Sequence, residues 1–80
     1  MSTSVTLDRL PPGRTARIVD IAGEEAMHRR LLDLGFVPDT KVSPLFRAAT
    51  GDPTAFLVRG SVIALRSTHS AGITVLPDAD

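Results

Sequence analysis

Glu24 and His28 offer a carboxylate and an imidazole that can bind one metal ion together. They stand four residues apart, and residues at i and i+4 are neighbours on the surface of an α-helix. Structural zinc sites usually use four protein ligands and catalytic zinc sites three. The pair therefore needs a further ligand from His69, an aspartate or a neighbouring molecule. We expect either an adventitious transition-metal site, with zinc as an example, or an ordinary solvated helix face.

Ser67 and His69 are the residues that most resemble a nucleophile with its base. A catalytic triad also needs a third group that orients the histidine, and a small domain has little room for a cleft that would hold a substrate. The sequence contains neither GxxxxGK[ST] nor GxGxxG, which are the glycine-rich patterns that bind phosphates. The sequence therefore predicts no enzymatic activity and no required cofactor.

Composition limits the remaining classes of protein. Nine basic residues balance nine acidic ones, so no overall field attracts nucleic acid or an anionic membrane. Cysteine is absent, which excludes disulfides and thiolate metal sites. No apolar run approaches the roughly 18 residues that span a bilayer, and the first ten residues lack the pattern of a signal peptide. We expect a cytosolic protein that reaches a membrane only through a partner.

The first half of the chain predicts one strand followed by one helix. Residues 14–21 alternate apolar and polar side chains as in a half-buried strand, and the phase slips near Val19, which predicts a bulge. In the helix that follows, Met27, Leu31 and Leu34 form a narrow stripe that we expect to face the core. Gly35 fits the end of this helix because it adopts positive φ without a steric penalty.

The second half predicts only short strands. Residues 41–48 form a strand in which Pro44 cannot donate a ladder hydrogen bond, so we expect an edge or a bulge there. Two apolar runs on either side of Gly60 predict a tight hairpin. A helical turn near residues 67–71 precedes a last strand that contains Ile73.

These elements predict a mainly β protein: a small barrel of about five strands, with one α-helix between the first two strands and a short helical turn before the last. With 80 residues, the chain forms a single domain, residues 1–80. We expect its core within residues 7–76 and flexible ends.

The segments "RLLDLGFVP" and "VRGSVIALR", in this order and at this separation, resemble the FeoA family, the small cytosolic component of bacterial ferrous iron uptake. The resemblance extends from about Leu7 to Val75. It implies an SH3-like barrel that acts on the membrane permease FeoB, whose cytosolic part includes a guanine-nucleotide-binding domain. It also implies a non-enzymatic accessory or regulatory role, carried by protein-protein contacts.

The chain departs from the family pattern at two turns. Asp39 follows the proline where the family usually has glycine, and this favours a type I over a type II turn. Ser70 replaces a common acidic residue. Arg30 and Arg66 match recurring family positions, and we expect each to cap carbonyls, to pair with an aspartate such as Asp20 or Asp33, or to contact a partner.

The helix also predicts a surface for a partner. Leu32 lies about 100° from the core stripe, between Glu25 and Arg29, which form an i, i+4 ion pair in the favourable order. With Arg29, Phe36 and Val37, it would form a modest apolar patch that contacts FeoB or a second copy in a weak homodimer. The alternative is an exposed leucine on a monomer.

Two other functions fit a small barrel of this kind. The first is binding of single-stranded RNA, which needs aromatic platforms and a basic groove. The chain has three phenylalanines and no tyrosine or tryptophan, so we expect no nucleic acid, although Arg17, Arg47, Arg59 and Arg66 could share a face. The second is a metal-responsive regulatory module related to the C-terminal domain of iron-dependent repressors.

Overall fold

The computed structural model describes residues 3–78. The strands are β1 (Val5–Thr6), β2 (Ala16–Ile21), β3 (Lys41–Arg47), β4 (Thr54–Val58), β5 (Ser61–Leu65) and β6 (Ile73–Pro77). The helices are a 3-10 turn (Leu7–Arg9), α1 (Glu25–Leu34) and α2 (Ser67–Ser70). The mainly β fold, the main helix between the first two predicted strands and the helical turn before the last strand are confirmed. None of the described helices is long and apolar enough to cross a membrane.

All six strands form one antiparallel sheet in the order β1-β6-β2-β3-β4-β5. Inward side chains of β2 to β6 share one core, so the sheet curls around it as a small barrel whose end strands, β1 and β5, are not paired with each other. The buried core residues are Leu7, Leu10, Ala16, Ile18, Ile21, Leu31, Phe36, Val42, Phe56, Val58, Leu65, Ile73 and Val75.

Strand β1 lies just outside the predicted core of residues 7–76. Val5 pairs with Val75 of β6 and packs partly against the core. The chain therefore joins the sheet slightly before the predicted boundary, because a half-buried valine and a pair of ladder positions stabilise it there. Of the predicted flexible ends, residues 1–2 and 79–80 lie outside the described part of the chain.

Both expected irregularities in the strands are present. The register of β2 against β6 shifts between Ile18 and Asp20, which leaves Val19 half exposed. The register of β3 against β4 shifts between Pro44 and Phe46. Pro44 also lies beyond Lys41 and Val42, the two positions at which β3 pairs with β2, so both a bulge and a locally unpaired side of the strand accommodate the proline.

The β4–β5 hairpin is confirmed, and its turn is of type I′. Arg59 and Gly60 occupy the central positions with φ values of 51° and 79°, and Val58 pairs with Ser61 across the turn. Type I′ turns need positive φ at both central residues and match the twist of the two strands. Gly60 adopts positive φ without a steric penalty, whereas the Cβ atom of Arg59 makes the same conformation unfavourable.

The turn after α1 differs from the sequence expectation. Thr40 N–H donates to the Val37 carbonyl at 3.2 Å, and Asp39, the third residue of the turn, has φ of 74°. A positive φ at this position is the mark of a type II turn, so the predicted type I turn is wrong. Asp39 N–H donates to the Ile18 carbonyl at 2.7 Å, and its carboxylate accepts from Arg17 at 3.1 Å; these contacts hold an aspartate in the conformation that favours glycine.

We expect Asp39→Gly to be more stable than Asp39→Ala by about 1 kcal/mol, because only alanine pays the left-handed penalty. Both variants lack the carboxylate that pairs with Arg17, so their difference isolates the backbone. Urea denaturation of the two variants measures it. Equal midpoints would show that the positive φ at residue 39 costs the folded protein nothing.

Candidate partner-binding surface

Helix α1 packs on the barrel through Leu31, which is 1% exposed, as predicted. Met27 and Leu32 are partly buried against the core, whereas Leu34 is 38% exposed. At 100° per residue, the mean direction of Met27, Leu31 and Leu32 lies about 50° from the centre of the predicted stripe, on the side of Leu32. The prediction of a core-facing Leu34 is wrong, and Leu34 instead borders a groove.

Leu32, chosen as the outward-facing leucine, is half-buried and contacts the core cluster. The expectation that it lies free on the surface is therefore wrong, and the reason is the rotation of α1. Beside it, Arg29 is exposed and donates to Glu25 at 3.4 Å, which confirms the predicted ion pair. A glutamate at position 32 would bury a charge, so this variant would change stability as well as any contact with a partner.

Phe36 was expected to complete an exposed patch with Leu32 and Val37, and this is wrong. Phe36 is fully buried, and its ring stands edge-on to Phe56 with the centroids 6.4 Å apart. Val37 is half-buried. A partner role for Leu32, Arg29 and Val37 stays a prediction, whereas Phe36 belongs to the core.

The end of α1 explains why Phe36 turns inward. Gly35 has φ of 109° and donates its N–H to Leu32 O at 3.0 Å, while Phe36 N–H donates to Leu31 O at 2.9 Å. These bonds satisfy two of the last four carbonyls of the helix and reverse the chain. The reversal carries the residue after Gly35 back under the helix and onto the barrel, which sequence periodicity within the helix does not reveal.

The proposed metal ligands lie at the start of α1. Glu24 precedes the first helical residue and is exposed, and His28 is half-buried. Within residues 3–78, no group of three or more His, Cys, Asp or Glu residues is placed to hold a metal ion. Glu24 shares a cleft with His69, but His28 does not line it. The pair supplies two ligands from one copy of the chain, and its binding of a metal stays a prediction.

Two adjoining clefts run along the side of α1 that faces α2 and the end of β5. The first encloses about 400 Å³ between the start of the helix and α2, and the second about 330 Å³ between the rest of the helix and the end of β5. Met27, Leu31 and His69 line both clefts, so they form one groove. We call the part beside β5 the α1–β5 groove; it is lined by Met27, Arg30, Leu31, Leu34, Ala64, Leu65, Arg66 and His69.

Arg30 and Arg66 stand on opposite walls of the α1–β5 groove. The ion pairs and side-chain hydrogen bonds of residues 3–78 include neither of them. The expected capping of carbonyls, or pairing with Asp20 or Asp33, is therefore not found. Both guanidinium groups remain available to an anion that enters the groove.

Asp52 fixes the helical turn that carries His69. Its carboxylate accepts from Ser67 N–H at 2.8 Å and from the Ser67 hydroxyl at 3.2 Å. A carboxylate at this place satisfies a free N–H of α2 and suits the positive end of the helix. The loop before β4 thereby holds α2, and with it one end of the groove.

Asp52→Ala is expected to lower the free energy of unfolding by about 1 kcal/mol, because α2 loses the acceptor of its first N–H. Backbone amides of residues 67–70 should exchange with solvent faster than in the parent protein. Asp33→Ala, which removes an exposed carboxylate from α1, is the matched control and should leave these amides unchanged. Equal exchange in both variants would contradict a capping role for Asp52.

An apolar face on the outside of the sheet is absent from the sequence-based predictions. Phe46 and Val62 are each 61% exposed and Leu57 is 40% exposed. Leu57 and Val62 are directly paired across β4 and β5, so they lie on one face. Strand alternation could have revealed Leu57 and Val62, whereas the bulge at Pro44 decides the direction of Phe46.

The basic and aromatic residues considered for RNA binding are dispersed among different contacts. Arg17 pairs with Asp39, and Arg47 donates to the Asp8 carbonyl at 2.9 Å. Arg59 lies beside Gly35, and Arg66 lines the groove. Phe36 and Phe56 are buried, which leaves Phe46 as the exposed ring among the three. Stacking of successive bases needs more than one such platform.

Comparison with known proteins identifies relatives of the whole barrel. The model of the FeoA domain family matches residues 5–77. The FeoA protein from Chlorobium tepidum is 36% identical, with a TM-score of 0.89 over 94% of this chain and 71% of that chain. A search of curated protein sequences finds no match.

Two further structures are similar. FeoA from Stenotrophomonas maltophilia, complexed with zinc, is 28% identical, with a TM-score of 0.78 over 89% of this chain and 88% of that chain. It is described as a procaryotic SH3 domain protein and a candidate activating factor of ferrous iron transport. A manganese-dependent transcriptional repressor is 18% identical, with a TM-score of 0.85 over 96% of this chain and 43% of that chain, which shows a shared fold alone.

Proposed function

Because this chain belongs to the FeoA domain family and so has a role in ferrous iron transport, we propose that it binds the cytosolic part of the FeoB permease as a non-enzymatic accessory module. The observation that carries this proposal is the family match across residues 5–77, which includes α1 and the whole sheet. The S. maltophilia relative is described as a candidate transport activating factor, a role that direct contact with the permease would serve.

The surface of the barrel supports binding more than catalysis. The α1–β5 groove presents the apolar residues Met27 and Leu34 together with two arginines that lack ionic partners among residues 3–78. Nucleophilic chemistry would need Ser67 and His69 close together and oriented by a third group. Ser67 instead donates its hydroxyl to Asp52, so this serine serves the attachment of α2.

A binding titration tests the proposal. The purified cytosolic part of FeoB is titrated into the chain with and without guanine nucleotide, and a short single-stranded RNA is titrated separately. We expect saturable 1:1 binding to the permease fragment and none to RNA. Binding to RNA alone would contradict the proposal and favour the nucleic-acid alternative.

For metals, we propose that zinc or another transition ion at Glu24 and His28 is adventitious or shared between molecules. Two protein ligands are fewer than zinc sites normally use, and such a site becomes complete only when another copy contributes. Titration with Zn²⁺ or Fe²⁺ should give weak binding that Glu24→Gln or His28→Gln removes and that rises with protein concentration. Tight stoichiometric binding by a monomer would contradict this proposal.

A further inference from the structure

Strand β5 leaves one edge of the sheet unpaired. It is the last strand in the sheet order and pairs with β4 on one side only. Within residues 3–78, no backbone hydrogen bond outside the β4–β5 pairing involves residues 61–65. The strand carries no charge, proline or register shift, which are the usual devices that keep an edge from pairing with another chain.

The hairpin turn determines which backbone groups point along this edge. In a type I′ turn, the residues that flank the two central positions are a hydrogen-bonded pair, here Val58 and Ser61. Hydrogen-bonded and non-hydrogen-bonded pairs alternate along the ladder. Ile63 therefore bonds to β4, whereas the N–H and C=O groups of Val62 and Ala64 point away from it. These four groups are open to an added strand.

Helix α1 forms the opposite wall of a groove along that edge. Met27, Arg30, Leu31 and Leu34, at i, i+3, i+4 and i+7, line it together with Ala64 and the residues that follow. Ala64 is exposed and Leu65 is buried, so their side chains point to opposite faces of the sheet. Because both line the α1–β5 groove, it meets the edge of β5 at its last two residues and does not lie over one face. Val62, two residues before Ala64 on the same edge, lies beyond the lining of the groove.

The charge of the groove indicates the chemistry of its ligand. Its lining contains two arginines, Arg30 and Arg66, and no aspartate or glutamate. Neither arginine has a carboxylate partner among the described residues. Guanidinium groups bind carboxylates in planar, specific geometry, so the groove is complementary to an extended segment that is apolar along its length and acidic at one end.

We propose that the α1–β5 groove binds an extended segment of a partner protein as an added antiparallel or parallel strand on β5. The segment hydrogen-bonds to the backbone of Val62 and Ala64. Its apolar side chains contact Met27 and Leu34, and an acidic side chain or C-terminal carboxylate lies between Arg30 and Arg66. The identity of the partner as FeoB rests on the proposed function, whereas the chemistry of the segment does not.

A second copy of this chain fits the same edge poorly. Ser61–Leu65 contains no acidic residue, and arginines stand on both sides of it, at positions 59 and 66. Antiparallel pairing of two β5 strands about Ile63 would bring Arg66 of each copy close to Arg59 of the other. Like charges across a strand pair are destabilising, so the edge favours an acidic partner.

Paired substitutions at Ala64 test the added strand. Ala64→Pro removes the outward N–H without removing a bond to β4, because proline is tolerated on edge strands. Ala64→Val keeps the N–H and suits a strand. The probe is an eight-residue peptide of alternating threonine and valine that ends in two aspartates, titrated by NMR. We expect Ala64→Pro to weaken binding by about tenfold or more and Ala64→Val by less than about twofold, with both variants folded by circular dichroism.

Substitutions of the two groove arginines test whether the groove prefers an acidic ligand. Arg30→Gln and Arg66→Gln should each weaken binding of the acidic peptide by about threefold to tenfold, and a peptide ending in two lysines should not bind. Arg9→Gln, which removes an exposed arginine of the 3-10 turn that does not line the groove, is the matched control and should bind as the parent does. Equal binding of the acidic and basic peptides, or amide shifts confined to residues outside β5 and α1, would overturn the proposal.

The same variants separate this inference from the proposed function. If the FeoB fragment binds the parent protein and Ala64→Pro equally well, the proposed function stands and the groove as its docking site is overturned. If the acidic peptide binds the groove and the FeoB fragment does not bind at all, the groove stands and the proposed partner is wrong. Concentration-dependent dimerisation that Ala64→Pro abolishes would overturn the choice of an acidic partner in favour of a second copy.

Discussion

Replacing Phe36 by alanine is expected to lower the free energy of unfolding by about 3–5 kcal/mol. The side chain is fully buried and packs edge-on against Phe56, so the variant loses both its burial and the aromatic pair and leaves a cavity beneath α1. A chain of 80 residues typically has a stability of about 4–12 kcal/mol. The change should therefore shift the urea midpoint strongly or unfold the protein at 37 °C.

Phe46→Ala is the matched control because it removes the same side chain from a position that is 61% exposed. We expect it to cost less than about 1 kcal/mol. Circular dichroism melting of the two variants compares them directly. Similar losses of stability in both would mean that Phe36 is not the core residue under the helix and would restore its place in an exposed patch.

Regular elements of the fold were predictable because local chemistry determines them. Gly35 ends α1 through its positive φ, and Gly60 allows the type I′ turn between β4 and β5. The bulge near Val19 follows from a slip in strand alternation. Each of these features depends on a few adjacent residues, so the sequence pattern contains the necessary information.

The orientation of α1 was not predictable in the same way. Apolar periodicity treats Leu34 and Leu31 alike, yet only Leu31 is buried. Phe36, beyond the end of the helix, fills the core beside Phe56 of a distant strand. The sequence predicts the wrong turn type at Asp39 for a related reason. Contacts with Ile18 and Arg17 offset the cost of positive φ at Asp39. Both outcomes depend on residues far apart in sequence.

The α1–β5 groove escaped prediction because its walls come from separate elements. Arg30 and Arg66 are 36 positions apart, and the sequence leaves three roles open for each: capping of carbonyls, pairing with an aspartate such as Asp20 or Asp33, or contact with a partner. Their availability follows from their positions on opposite walls of the groove between α1 and the end of β5. A sequence can identify an arginine, but only the fold shows whether a carboxylate reaches it.

Leu31→Ala and Leu34→Ala should differ by at least about 1 kcal/mol in stability, although they are the same change on one helix. Leu31 is 1% exposed, so its truncation should cost about 2–4 kcal/mol. Leu34 is 38% exposed, and its truncation should cost less than about 1 kcal/mol. Leucine and alanine both favour helices, so the difference reports burial. Urea denaturation of each variant provides the measurement.

Binding of the acidic peptide provides a second, independent test of Leu34→Ala. Leu34→Ala keeps the fold but removes an apolar side chain from the wall of the α1–β5 groove, so the acidic peptide should bind it several-fold more weakly than the parent protein. A larger loss of stability for Leu34→Ala than for Leu31→Ala would instead place Leu34 in the core. The helix would then be rotated by about 50° from the orientation described, and the groove would lose the apolar wall on which partner binding depends.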